Sequence, residues 1–99
     1  MKPKNKTILN DVKGQLIRIV DCNCYEAYDL EQLEYLIQLI DYILLDKMPL
    51  CKRTIMAFMQ EIITTSIYGM NPALLSVLHD VNELEEEIDD NEIPIHEEL

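Results

Sequence analysis

The segment NPALLSVLHDVNELEEEIDD, residues 71–90, decides how the rest of the chain is read. Asn71 offers a capping side chain, and Pro72 follows at the first helical position, where its missing N–H is not needed. Leu74, Val77, Val81, Leu84 and Ile88 then alternate three- and four-residue steps, with Leu78 beside them. That is the period of a helix with a single apolar seam. The spacing predicts a helix over 72–89, fraying near Asp89–Asn91.

Working back from this segment, a second helix is expected over 50–68. Pro49 gives it a rigid entry, and Gly69 is placed to end it in the left-handed conformation. Phe58, Ile62, Ile55, Met59, Ile63, Met56 and Ile67 cover half of its circumference, which implies a central position or a buried interface. Further upstream, Asp29 and Gln32 form a capping-box pair opening a helix over 29–47. Leu33, Leu36, Ile37, Ile40, Ile43 and Leu44 make its stripe. The first helix is read over 8–20 from Leu9, Val12, Leu16, Ile19 and Val20, with Thr7 or Asn10 as its cap. Gly14 inside it costs about 1 kcal/mol relative to alanine.

Connections this short favour antiparallel neighbours. The expected fold is therefore all-α, a compact up-down bundle of four helices (about 8–20, 29–47, 50–68 and 72–89) forming one domain over 1–90. Residues 91–99 are expected to be an extended or disordered acidic tail.

The net charge of −11 is unevenly placed. All eight basic residues lie between Lys2 and Arg53, balanced there by eight acids, whereas the chain from Thr54 onward carries eleven acids and no Lys or Arg. Such an end repels phosphate backbones and anionic membranes, so direct nucleic-acid or membrane binding is not expected, and a basic protein surface is the natural complement. The longest uncharged stretch, Ile62 to His79, is interrupted by Gly69, Asn71 and Pro72 and is not expected to span a membrane. The basic start lacks the unbroken apolar run of an export signal. Three cysteines, an odd number, then fit free thiols in a cytoplasmic chain.

Two constellations point to binding. In a helical end, Glu83 and Glu87, Glu85 and Asp89, and Glu86 and Asp90 stack at four-residue spacing, where each like-charge pair costs about 0.2–0.5 kcal/mol. The dipole at a helix C-terminus adds to that cost. A basic partner that supplied the missing charge would order this end. On the helix over 29–47, Tyr35 and Tyr42, with Tyr28 in the same seven-residue register, lie along one flank, and Leu45 points to the polar side. Tyrosines so placed serve well as interface anchors.

Other chemistries find little support. Cys22-x-Cys24 with Cys51, His79 and His96 lacks the two close ligand pairs of a zinc site, so no metal or cofactor is expected. No phosphate-binding glycine loop, His-Glu-x-x-His or Gly-x-Ser-x-Gly occurs, and no enzyme activity is expected. Pro72–Glu87 carries no Lys or Arg, which removes it as a DNA-recognition helix. The expected function is that of a small acidic regulator or inhibitor. Its contacts would be Glu83, Glu85, Glu86, Glu87, Asp89, Asp90, Tyr35, Tyr42 and Leu45 against a basic partner, such as a nucleic-acid-binding enzyme or regulator. The alternative is a homodimer or larger homo-oligomer paired through the second and third helices.

Overall fold

The computed structural model of the chain describes residues 1–22, 30–65 and 72–88. Asp29, Gly69, Asn71 and the expected tail over 91–99 lie outside these residues. Four helices account for most of the described chain: α1 (Pro3–Asp21), α2 (Leu30–Leu44), α3 (Lys52–Thr65) and α4 (Pro72–Asn82). No strand occurs among the described residues. Each helix packs on its neighbour in sequence, and α4 closes the ring against α1. The result is the expected all-α four-helix bundle.

The core is the set of apolar stripes read from periodicity. Leu9, Val12, Leu16 and Ile19 of α1 meet Leu33, Leu36, Ile40 and Ile43 of α2, with Phe58 and Ile62 of α3. Leu74, Val77 and Val81 complete it from α4, and Leu84 is buried just beyond that helix. Thr65, the buried hydroxyl of α3, donates to the Glu61 carbonyl at 2.6 Å, which satisfies it inside its own helix. The core is joined at its rim by polar ties. Lys13 reaches Asp41 across α1 and α2 at 2.6 Å. Gln15 donates to Asp80 of α4 at 2.6 Å and accepts from Ser76 at 3.1 Å.

Helix ends depart from expectation in four places, each with a physical reason. The first is the start of α1, which lies at Pro3 rather than near Ile8, with Lys2 as its N-cap residue and no side-chain cap of its own. Neither Thr7 nor Asn10 caps it; Asn10 lies within the helix and donates back to the Lys6 carbonyl at 2.9 Å. Pro3 suits the first turn because its fixed φ is helical. Gly14 is carried inside α1 without any steric need for glycine, since a Cβ there would meet only the Arg18 guanidinium, at 3.7 Å.

The second is the end of α2, at Leu44 rather than Lys47. Lys47 N–H donates to the Tyr42 carbonyl at 2.8 Å and Asp46 N–H to the Ile43 carbonyl at 3.1 Å. This pair of bonds is a Schellman closure, with Asp46 in the left-handed position at φ 60°. Aspartate tolerates that conformation better than most residues with a Cβ.

Thirdly, α3 begins at Lys52 rather than Leu50. It is also less central than its composition implied. Phe58 and Ile62 are buried, but Met56 is 58% exposed and Ile63 48%.

The fourth departure matters most. Helix α4 ends at Asn82, not at 89. Glu83 N–H closes on the Asp80 carbonyl at 3.0 Å and Leu84 N–H on Val81 at 3.1 Å. These are the tight turns that finish a helix. The chain then leaves the helical path and runs back toward the start of α1.

Candidate binding face and the acidic end

Glu83, Glu85, Glu86 and Glu87 follow α4 and are not stacked on a helix, and the charge that offsets two of them comes from within the fold. Asn5 is completely buried. Its Nδ2 donates to the Glu85 carbonyl at 2.8 Å, and its Oδ1 accepts from the Glu85 N–H at 2.9 Å. One side-chain amide thus satisfies both backbone groups of a residue eighty positions away. The same Nδ2 donates to Glu87 Oε2 at 2.6 Å, and that oxygen also accepts from the Lys2 backbone N–H at 2.7 Å. Glu87 therefore caps α1 from outside, placing negative charge at the positive end of a helix with no acid in its first turn.

Around this latch, Lys4 Nζ lies 3.0 Å and Lys2 Nζ 3.3 Å from the two oxygens of Glu85. Glu87 N–H donates to the Leu50 carbonyl at 2.7 Å, tying the segment to the connection between α2 and α3. Sequence reasoning placed Lys2, Lys4 and Asn5 ahead of the first helix and missed all three. Pro3 at the first helical position was the one signal that could have found them.

Protonation follows these contacts. The side-chain hydrogen bonds from Lys4 and then Lys2, with their positive charges, hold the Glu85 carboxyl below the usual range. Its bond to Glu85 likewise raises Lys4. For Glu87 the largest single influence is partial desolvation, which favours the neutral acid. The hydrogen bonds from Asn5 and from the Lys2 backbone, together with nearby positive charge, outweigh it and leave the pKa lowered. A carboxylate held low in the folded state stabilises that state above its unfolded value, about 4.3 for glutamate. This contribution disappears as pH falls through the folded value. Acidification should therefore release the 85–88 segment first, seen as selective loss of hydrogen-exchange protection at the Glu85 and Glu87 amides. In Glu87→Gln the acid limb of the melting curve should be flatter, since the amide oxygen still accepts without titrating.

The remaining residues expected in a site divide clearly. Glu83 and Glu86 are exposed. Asp89 and Asp90 lie outside the described residues, as does Tyr28. Tyr35 and Tyr42 stand on the outer side of α2 at 47% and 48% exposure, and Leu45 beyond them at 64%. Glu31, Glu34 and Gln38 are exposed on the same helix, and no Lys or Arg occurs from Leu30 to Asp46. The structure thus brings together on α2 two exposed tyrosines and carboxylates that share their helix with no cation, with the exposed Leu45 just past the helix end.

Beside this face, between α2 and α3, runs a groove of about 270 Å³. Ile43 and Phe58, both in the core, line it together with Leu39, Met48 and Ala57. Arg53 stands toward one end and Tyr35 and Glu61 toward the other. Glu31 joins Tyr35 and Glu61 where the depression continues past that end. A second, larger depression of about 490 Å³ lies between α1 and α4, lined by Lys4, Asp11, Asp80 and Glu83 around Ile8.

Among the described residues, no three His, Cys, Asp or Glu side chains are grouped as a metal site. Cys22 is exposed, its Sγ 3.1 Å from the Ile19 carbonyl, Cys51 is buried, and Cys24 lies outside the described residues. His79 is exposed on α4. No described helix is long and apolar enough to cross a membrane. No family model, curated protein or solved structure matches this chain.

Proposed function

We propose that this chain is a small acidic protein-binding regulator or inhibitor, and that it engages a basic surface of a partner protein through the outer face of α2. The observation that carries the reading is the composition of that face. Tyr35 and Tyr42 are about half exposed along a helix that carries Glu31 and Glu34 and no cation of its own, and Leu45, just past its end, is about two-thirds exposed. Tyrosine buries area at low entropic cost while keeping a polar tip, and such anchors dominate many interfaces. The flanking carboxylates would steer a basic partner and set its register more than they would add raw affinity. Glu83 and Glu86 extend the acidic surface at the end of α4. Glu85 and Glu87 contribute less, because a partner's cations would compete with Lys2, Lys4 and Asn5 for them. A partner whose basic surface serves nucleic acid fits this chemistry, and an odd count of three cysteines fits a cytoplasmic setting.

The test is to capture partners with the intact protein, then titrate the purified partner against wild type, Tyr42→Ala and Leu45→Ser. The expected partner is basic. Its affinity should fall about tenfold or more for Tyr42→Ala, the scale of a single interface anchor. It should also weaken between low and high salt. A partner that binds both variants and both salt conditions equally well would remove this face from the reading. Truncation before Glu85 is a poor substitute, because it would also remove the latch on α1.

A further inference from the structure

We propose that the depression between α1 and α4 receives an arginine side chain from a basic protein partner, its guanidinium meeting Asp11, Asp80 and Glu83. Facing stripes on two helices build the depression. Lys4, Ile8, Asp11 and Gln15 recur at four- and three-residue steps, so they share one side of α1. Ser76 and Asp80 share one side of α4, and Glu83 follows just past its end. Where the stripes meet they leave a hollow of about 490 Å³, lined by Pro3 and Ile8 and by carboxylates from both sides.

The charges of this hollow are not balanced from within the fold. Lys4 is the one cation among its lining residues, and its Nζ lies 3.0 Å from Glu85. Asp11 and Glu83 form no ion pair among the described residues. Asp80 accepts from the neutral amide of Gln15 at 2.6 Å, and Gln15 accepts from Ser76 at 3.1 Å. That chain of bonds fixes the Asp80 carboxylate in place without neutralising it. Like charges presented by two packed helices across a shared hollow repel, and a cation set between them relieves the repulsion. Among the described residues the carboxylates are not grouped closely enough to share a metal ion. An arginine matches both features of the hollow. Its aliphatic stem covers Pro3 and Ile8, and its planar fork of donors meets more than one carboxylate. The nature of the occupant rests on the basic-partner reading above. Tyr42 and Leu45 do not line this hollow, so either contact can fail without the other.

The experiment is a titration of the intact protein, followed by its backbone amide NMR shifts, with an acetylated and amidated Gly-Arg-Gly peptide. The same peptide with citrulline in place of arginine keeps the shape and removes the charge. The arginine peptide should give saturable shifts centred on Ile8, Asp11, Asp80 and Glu83, and the citrulline peptide should not. Asp11→Asn and Asp80→Asn should each weaken binding about threefold, the scale of a partly exposed ion pair. Asparagine at position 80 retains an oxygen to accept from Gln15, and the helicity and melting of each variant are measured alongside. Glu34→Gln removes the same charge from α2 and should leave the affinity unchanged. Shifts that never saturate, or that spread evenly over every acidic surface, overturn the proposal. Equal binding of the citrulline peptide does so too, as does an equal loss from Glu34→Gln and Asp11→Asn. Saturable shifts centred on Glu31 and Glu34 would also overturn it, while leaving the α2 face standing as the basic partner's contact.

Discussion

Asn5→Asp should destabilise the bundle by about 3 kcal/mol or more at neutral pH, although it changes one side-chain atom at a site near the chain's start. The replacement removes a donor that serves the Glu85 carbonyl at 2.8 Å and the Glu87 carboxylate at 2.6 Å. It puts in its place an oxygen carrying negative charge, in a position with no exposure to water. For a domain of this size, each kcal/mol moves the melting temperature by about 4–8 °C, so the loss should be plain in a thermal melt. Asn5→Ala should cost less, about 1–3 kcal/mol, because the backbone groups of Glu85 lose a partner without meeting a charge. The gap between Asn5→Asp and wild type should narrow on acidification, when a protonated aspartic acid regains a donor while the wild type loses Glu87. If Asn5→Asp melts together with the wild type at neutral pH, docking of the 85–88 segment contributes nothing.

Leu16→Ala should cost about 2–5 kcal/mol, the range for emptying a fully buried leucine site. Leu16 has no exposure and lies in α1, which packs on both α2 and α4, so neighbouring helices cannot close over the space without separating elsewhere. The same substitution at Leu45, 64% exposed, should stay within about 0.5 kcal/mol. Chemical denaturation of the two variants provides the comparison. Its value lies in the contrast, since identical atoms are removed from a position the fold depends on and from one it does not. A large loss at Leu45 would mean that this leucine packs in the folded chain, and would count against a binding role for it.

What could be read from the sequence divides along one physical line. Periodic apolar burial was legible, because a helix must present its stripe every three or four residues whatever its neighbours are. Leu74, Val77, Val81, Leu84 and Ile88 were expected on one seam; the first four are buried, although Leu84 lies beyond the helix that was expected to hold it, and Ile88 is half-buried. Helix ends were less legible, because they depend on partners distant in sequence. Asp46 closes α2 in a conformation usually given to glycine, so no local signal marked it. Asn5 in an apparently polar lead-in looks like any exposed amide; its burial requires Glu85 and Glu87, which no local window contains. The end of α4 could not be placed for the same reason. Like-charge crowding makes a last helical turn costly, yet the helix was still expected to run to 89, and it ends at Asn82. For Glu85 and Glu87 the offsetting contacts come from Lys2, Lys4 and Asn5 within the fold.

The Asn5–Glu85 pairing also sets an order of events. Joining positions eighty apart closes nearly the whole described chain into one loop, and closing so long a loop has little to recommend it entropically until intervening helices have brought the ends together. During folding, the clasp should therefore be among the last contacts made, after the four apolar stripes have met. In the native ensemble it should be among the first to open, a local event at the rim that leaves the core intact. The beginning of α1 is thus on probation until residues near the far end arrive.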